Sequence, residues 1–261
     1  MTQSTELRQE PLKLREELQI RSIGLHHHAP EDFFRSQWQT ELQSCRFLIY
    51  RWSLAAFFGT GVISYLILFF KGGTVFIYLT NWNFILCGVT SISGAIFVSI
   101  HHRDSDKMVT RRCLVKCYWA CYWINLILSH IVSIVYWFCL YRDEPKRKLI
   151  YHIYNIWIHA MPLLLFTVDH MLVAHPSRLM HFLYPLLLAM GYAGFSYVYY
   201  LLGGLDPFGR TFIYKILDYE KPSQALKNIG WISVLLVCCS ALQYGVYRLR
   251  VFIARKLGKL Q

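Results

Sequence analysis

The chain has 261 residues, of which 55% are hydrophobic, 16% aromatic and 16% charged. This composition is too apolar for a soluble domain of that length and excludes an ordinary soluble globule. The formal net charge is +12, but the sequence has no basic, aromatic-interleaved motif typical of nucleic-acid binding. The excess cations instead indicate loops held against anionic lipid headgroups. We therefore expect membrane lipids as partners, and no nucleic acid.

Six apolar runs, in chain order, are long enough to cross a bilayer, which takes about 20 mostly apolar residues. The predicted spans are 47–70, 74–100, 117–141, 149–174, 179–202 and 229–247. The sequence therefore predicts an all-α fold, a polytopic membrane helix bundle with about six transmembrane helices. Three regions follow: a polar N-terminal segment 1–46, a transmembrane domain 47–247 and a basic C-terminal tail 248–261.

The loop charges predict the orientation. Segment 1–46 is polar and lacks a short apolar core followed by a small-residue cleavage site, so no cleaved signal peptide is predicted. An even number of spans places both termini on one side, and twelve cations there against nine on the other side favour cytoplasmic termini. The twelve are Arg35, Arg46, Arg103, Lys107, Arg111, Arg112, Arg178, Arg248, Arg250, Arg255, Lys256 and Lys259. The nine are Lys71, Arg142, Lys146, Arg147, Lys148, Arg210, Lys215, Lys221 and Lys227.

The fourth span carries the densest set of polar residues. At about 100° per residue, His152, Asn155, His159 and Asp169 fall within one arc of roughly 100°. An ionisable group in hydrocarbon costs about 2.5–3.5 kcal/mol on the insertion scale, so this face is predicted to point inward.

Three interpretations of that face remain open. His can act as a general base, Asp can orient it and Asn can donate to a developing oxyanion, which together make up the parts of a hydrolytic site. His152 and His159, with His130 of the third span, are alternative ligands for a metal or haem. The third interpretation is a structural set of hydrogen bonds between helices. No zinc signature supports the metal, so no metal or cofactor is expected.

A hydrolytic site needs a nucleophile, and Thr80 near the start of the second span is the candidate. A Thr hydroxyl is too weak an acid to attack unaided, so a base such as His159 has to take its proton. The structural alternative is a hydrogen bond from the Thr80 hydroxyl to the carbonyl four residues earlier. A transporter or channel lined by His130, His152 and His159 ranks last, because the sequence shows neither paired discontinuous helices nor rings of like charge.

Several sequence blocks resemble the Rolling stone family of multi-pass membrane proteins. They are 78–82, 155–159 with Asp169, 176–185, 197–204 and 213–219. The resemblance covers about 47–222, and the blocks 199–204 and 213–218 are its specific part. It implies a protein of the plasma membrane that acts in myoblast fusion, with membrane proteins of the fusion machinery as candidate partners.

A more distant likeness concerns the androgen-induced family of threonine hydrolases, which cleave fatty-acid esters of hydroxy fatty acids within the membrane. The Leu79-Thr80 step is similar to the Thr step of that family, and Asn155-x-x-x-His159 to its later Asn–His pattern. The likeness implies Thr80 as nucleophile and His159 as base, with Asn155 and Asp169 as support. This chain departs from the family in Asn81-Trp82 after the Thr and in 160–162 after the His.

Overall fold

The computed structural model describes residues 13–141 and 148–259, and Arg142, Lys146 and Arg147 of the predicted loop cations lie outside them. Six helical segments are long and apolar enough to cross a membrane. They are Cys45–Phe69, Leu79–Arg103, Arg112–Leu140, Leu149–Leu172, Leu179–Leu201 and Pro222–Lys256. The described part of the chain contains no β-strand, only one isolated bridge between Ser36 and Val173. The predicted all-α bundle with six spans is confirmed.

The observed helix ends differ from the predicted ones mainly in the second, third and sixth spans. The second span begins at Leu79, because Thr74–Ile77 forms a separate 3-10 turn after Gly72 and Gly73, both of which have positive φ. The sixth helix starts with Pro222 in its first turn, where a missing N–H costs nothing. It then continues past the apolar run through basic residues that are themselves good helix formers.

Two spans are not regular α-helices throughout. The third changes to a π-helical turn at Tyr136–Leu140, after the α-helix Arg112–Val135. The fourth consists of two helices, Leu149–His159 and Met161–Leu172, which meet at Ala160. Pro162 explains the division of the fourth span, because proline has no N–H to donate and its ring crowds the carbonyl four residues earlier.

The two ends of the bundle differ in how they are covered. At the end that we call the terminal end, the first, third and fifth spans begin and the second, fourth and sixth finish. The N-terminal segment 13–44 packs there, with Phe33 and Phe34 only 2% exposed. Its regular elements are the helix Leu14–Glu17 and the 3-10 turns Ile20–Ile23 and Pro30–Phe34.

The opposite end is closed by the connection between the fifth and sixth spans, which we call the closing segment, 202–221. It contains the 3-10 turn Lys215–Leu217, and Ile213 and Leu217 are buried against the bundle. The third span is the most buried of the six and contacts the second, fourth, fifth and sixth spans. It therefore forms the centre of the bundle.

Candidate functional site

The terminal end contains a buried ion pair between the first and fourth spans. Nη1 of Arg51 lies 2.8 Å from Oδ1 of Asp169, and the Tyr50 hydroxyl donates to the same oxygen at 2.9 Å. The side chains of Arg51 and Asp169 are 1% and 0% exposed. Because each charge alone would lose its hydration at a cost of several kcal/mol, the two are stable in this position only as a hydrogen-bonded pair.

Gly94 of the second span provides the space for this pair. Nη2 of Arg51 donates to the Tyr118 hydroxyl at 2.8 Å. A Cβ atom on residue 94 would overlap the Arg51 guanidinium and lie 2.6 Å from the Tyr118 oxygen. The close approach therefore requires glycine, and the ion pair joins the first four spans into one unit.

Arg250 of the sixth span is the second buried arginine at this end. It is 0% exposed and donates to the backbone carbonyls of His170 and His175, the second at 2.6 Å. The last four carbonyls of an α-helix lack partners within the helix and carry a partial negative charge. Arg250 thus supplies both a donor and a positive charge to the end of the fourth span.

The N-terminal segment satisfies the remaining carbonyls of that helix end. The Trp38 indole N–H donates to the Met171 carbonyl at 2.8 Å, and the backbone N–H of Gln37 donates to the Leu172 carbonyl at 2.8 Å. The Val173 N–H reaches the Asp169 carbonyl at 2.9 Å. The helix that presents Asp169 to Arg51 is therefore fixed by a segment that precedes the membrane domain.

His175, in the short link between the fourth and fifth spans, is also part of this cluster. Burial, together with the charges of Arg51 and Arg250, holds the pKa of His175 well below its usual value. Its Nε2 lies 3.1 Å from the Phe33 carbonyl, which can only accept, so Nε2 carries the proton of a neutral ring. The ring thus connects the core to the N-terminal segment without adding a third positive charge.

Glu17 ties the same segment to the fifth span. Its carboxylate accepts from the Leu179 N–H at 2.9 Å, at the start of that span, where a negative charge is favourable. Arg178 lies 3.8 Å from the other carboxylate oxygen. Glu17 is 1% exposed, and its burial raises its pKa although both of these contacts lower it.

Thr80, the predicted nucleophile, lies at the other end of the bundle, in the first turn of the second span. Its hydroxyl oxygen accepts from the Tyr214 hydroxyl at 3.3 Å, and its N–H donates to the same Tyr214 oxygen at 3.2 Å. Burial raises the pKa of Tyr214 to about 12, so the phenol stays protonated at neutral pH. These two hydrogen bonds connect the closing segment to the second span.

His159, the predicted base, lies at the break in the fourth span. Its ring stacks on Tyr136 with the ring centroids 3.5 Å apart, and its Nδ1 lies 3.0 Å from the Asn155 carbonyl. That contact places the proton on Nδ1 and leaves Nε2 as the basic atom. The structure therefore brings Asn155 and His159 together, through the Asn155 backbone, while His152 is exposed.

An apolar cavity of about 80 Å³ lies between the second, third, fifth and sixth spans and the closing segment. Thr80, Tyr136 and Tyr214 are among its lining residues. Among the hydrogen bonds of the described residues, none joins Thr80 to His159, but Tyr136 contacts both the cavity and the His159 ring. Asp169 pairs with Arg51 at the terminal end instead.

His130, the third histidine of the metal or haem alternative, uses both ring nitrogens in hydrogen bonds. Nδ1 lies 2.8 Å from the Leu126 carbonyl, and the Gln243 amide nitrogen lies 2.9 Å from Nε2. The backbone carbonyl of Gln243 accepts from Nε2 of His170 at 3.1 Å. Within 13–141 and 148–259, no three His, Cys, Asp or Glu side chains are grouped as metal ligands.

The sequence patterns do not mark Arg51 or Arg250 as a site residue. A signal for Arg51 exists: it lies seven positions into the first helix, where a lone cation is costly and implies a buried partner such as Asp169. Arg250 has no such signal, because it lies in the segment 248–261, whose composition is that of a basic C-terminal tail. Arg35 and Arg250, both taken as loop cations in the charge comparison, are in fact buried.

Six spans around a charged, hydrogen-bonded core define a multi-pass membrane protein. A family model described as "Protein rolling stone" matches residues 11–260. The chain is also 33% identical over 245 residues to the protein rolling stone of Drosophila melanogaster, an alignment that covers 90% of this chain and 88% of that protein. The chain therefore belongs to the rolling stone family. No solved structure matches it.

Proposed function

We propose that this protein acts at the plasma membrane in myoblast fusion, the role that its resemblance to the rolling stone family implies. The observation that carries the proposal is the extent of the family match, residues 11–260, which includes the N-terminal segment and all six spans. Lipids surround such a bundle, and membrane proteins of the fusion machinery are its proposed partners. Without the buried Arg35 and Arg250, ten of the counted cations remain on the side of the termini against nine on the other side, which still favours cytoplasmic termini.

The test removes the protein from myoblasts that express it. We expect mononucleate precursors that align but do not fuse, and recovery of multinucleate fibres when the wild-type chain is restored. Asp169→Asn should restore fusion poorly, because it leaves Arg51 buried without a counter-ion. Gly191→Ala is the matched control, since a Cβ atom there meets nothing within 4 Å. Normal fibres in the absence of the protein would refute the role in fusion, and its retention in internal membranes would refute the plasma-membrane assignment.

A second candidate function is intramembrane hydrolysis of a lipid ester. It is favoured by one observation, the position of Thr80 on the wall of an apolar cavity. The lining suits a lipid acyl chain, but the volume of about 80 Å³ is below that of small-molecule sites, so the cavity has to widen to admit one. In this proposal the Thr80 oxygen attacks the ester carbonyl while Nε2 of His159 accepts its proton. The proton then passes to the departing alcohol, and water releases the fatty acid from Thr80. Tyr136 has to move first, because its ring stacks on His159 and lines the cavity.

A serine/threonine-reactive phosphonate probe distinguishes this candidate from a structural role for Thr80. We expect the probe to label the wild-type protein and Thr80→Ser, which keeps a hydroxyl, and to fail on Thr80→Ala and His159→Gln. Equal labelling of the wild-type protein and Thr80→Ala would reject the hydrolase. The structural role, in which Thr80 binds Tyr214, predicts that outcome.

A further inference from the structure

A second cavity, of about 380 Å³, lies at the terminal end, between the N-terminal segment and the beginning of the third span. Three consecutive histidines, His26 to His28, line one side, and Arg112 and Lys116 line the other. Its volume falls within the range of about 300–1,000 Å³ typical of small-molecule sites. The cavity is separate from the apolar one beside Thr80 and from the Arg51–Asp169 pair.

The charges in this cavity have one sign. Arg112 and Lys116 are four positions apart and so share one face of the third helix. Among the ion pairs of the described residues, neither has a carboxylate partner. Asp32 is already bound to the His27 ring at 2.8 Å, and among the described residues no Asp or Glu lines the cavity. A ligand here therefore faces two cations that no carboxylate of the described residues compensates.

The helix dipole adds to this preference for an anion. Arg112 is the first residue of a long helix, whose N-terminus has no side-chain cap. The partial positive charge of that helix end favours a negative charge nearby. An arginine can also bind two oxygens of one phosphate at once, which a point charge cannot. A phosphomonoester, which carries between one and two negative charges at neutral pH, matches this set of donors.

The position of the cavity indicates where such a phosphate comes from. Its other walls are apolar and include Phe33, Val115 and Trp119, with Trp119 one or two turns into a membrane-spanning helix. Tryptophan and basic side chains at a helix end are typical of the headgroup region of a bilayer. A ligand that presents both phosphate and apolar carbon at that depth is a phospholipid.

We propose that this cavity binds the phosphomonoester headgroup of an anionic phospholipid. Arg112 and Lys116 hold the phosphate, and His26 and His28 close the site from the N-terminal segment. The lipid thereby joins this segment to the third span. This inference does not depend on the proposed functions, which concern fusion and the Thr80 cavity.

The test uses the full chain in nanodiscs of phosphatidylcholine, alone or with a minor fraction of phosphatidylinositol 4-phosphate. We expect the phosphoinositide to raise the thermal unfolding midpoint, as a ligand that binds only the folded state does. The Arg112→Gln/Lys116→Gln variant should lose about tenfold in apparent affinity. The Arg103→Gln/Lys107→Gln variant is the matched control, because it removes two exposed cations at the same end, outside the cavity.

Four outcomes decide the proposal. A loss confined to the Arg112→Gln/Lys116→Gln variant supports it, provided that both variants elute as folded protein without the phosphoinositide. An equal loss in both variants would overturn it in favour of general attraction to an anionic surface. No stabilisation of the wild-type protein would overturn it as well. If soluble inositol 1,4-bisphosphate stabilised the protein as much as the lipid does, the assignment to a lipid would be overturned.

Discussion

Arg51 and Asp169 are 118 positions apart in the chain and form an ion pair of 2.8 Å with almost no exposure to solvent. The pair links the start of the first span to the end of the fourth. Replacement of a buried pair by apolar residues is often neutral, whereas removal of one partner leaves an uncompensated charge. The two cases make different predictions for single and double variants.

Asp169→Asn should destabilise the protein by about 3–5 kcal/mol, because the Arg51 guanidinium stays buried without a negative partner. The measurement is the free energy of unfolding in a mild detergent, followed by tryptophan fluorescence. Arg51→Met/Asp169→Asn should be less destabilised than Asp169→Asn alone, since the double change removes the orphaned charge. Wild-type stability in Asp169→Asn would contradict a structural role for the pair.

Gly94→Ala should also disrupt this core, from the second span. The added methyl group would occupy the position of the Arg51 guanidinium, so that arginine has to leave Tyr118 or Asp169. We expect a lower unfolding midpoint than in the wild-type protein. Gly191→Ala has open space around the new methyl group and should instead stabilise its helix by about 0.5–1 kcal/mol. Equal effects of the two substitutions would argue against the close approach at Gly94.

The spans were predictable from sequence because each depends on a local property, about 20 apolar residues in succession. The break at Pro162 has a weaker local signal, because the apolar pattern continues across it and a single proline interrupts the helix. The burial of Arg250 had no local signal. It depends on the end of the fourth span, whose free carbonyls provide its hydrogen-bond partners.

The candidate site also combines features that have a local sequence signal with features that have none. Of the four residues predicted to point inward, Asn155, His159 and Asp169 are buried or partly buried, whereas the prediction is wrong for the exposed His152. The partner of each depends on contacts between spans that helical periodicity does not contain. Asp169 pairs with Arg51, and His159 stacks on Tyr136. The two residues of the fourth span therefore have different partners, although they lie within one predicted span.

Glu17 predicts a pH dependence of stability. Burial raises its pKa above the ordinary value of 4.5, so the folded protein holds this proton at a pH where the unfolded chain has released it. Protonated Glu17 therefore contributes fully to the stability of the folded state below pH 4.5. This contribution is lost as the pH rises through the higher pKa of the folded state. Glu17→Gln should remove this part of the dependence, measured as the unfolding midpoint between acid and neutral pH. The exposed Glu41 offers a control in Glu41→Gln, which should keep the wild-type profile. A wild-type profile in Glu17→Gln would contradict the assignment.

Tyr214→Phe should loosen the closing segment without unfolding the bundle. The phenol oxygen makes two hydrogen bonds to Thr80, and the ring itself packs near Tyr78 and Tyr192, so the substitution removes the bonds and keeps the packing. We expect a loss of about 1–2 kcal/mol, which should appear as faster amide hydrogen exchange in 205–221. Tyr197→Phe is the matched control, because Tyr197 is 47% exposed in the neighbouring fifth span. Unchanged exchange in Tyr214→Phe would show that the buried Ile213 and Leu217 are sufficient to hold the segment, and that the two hydrogen bonds to Thr80 contribute little.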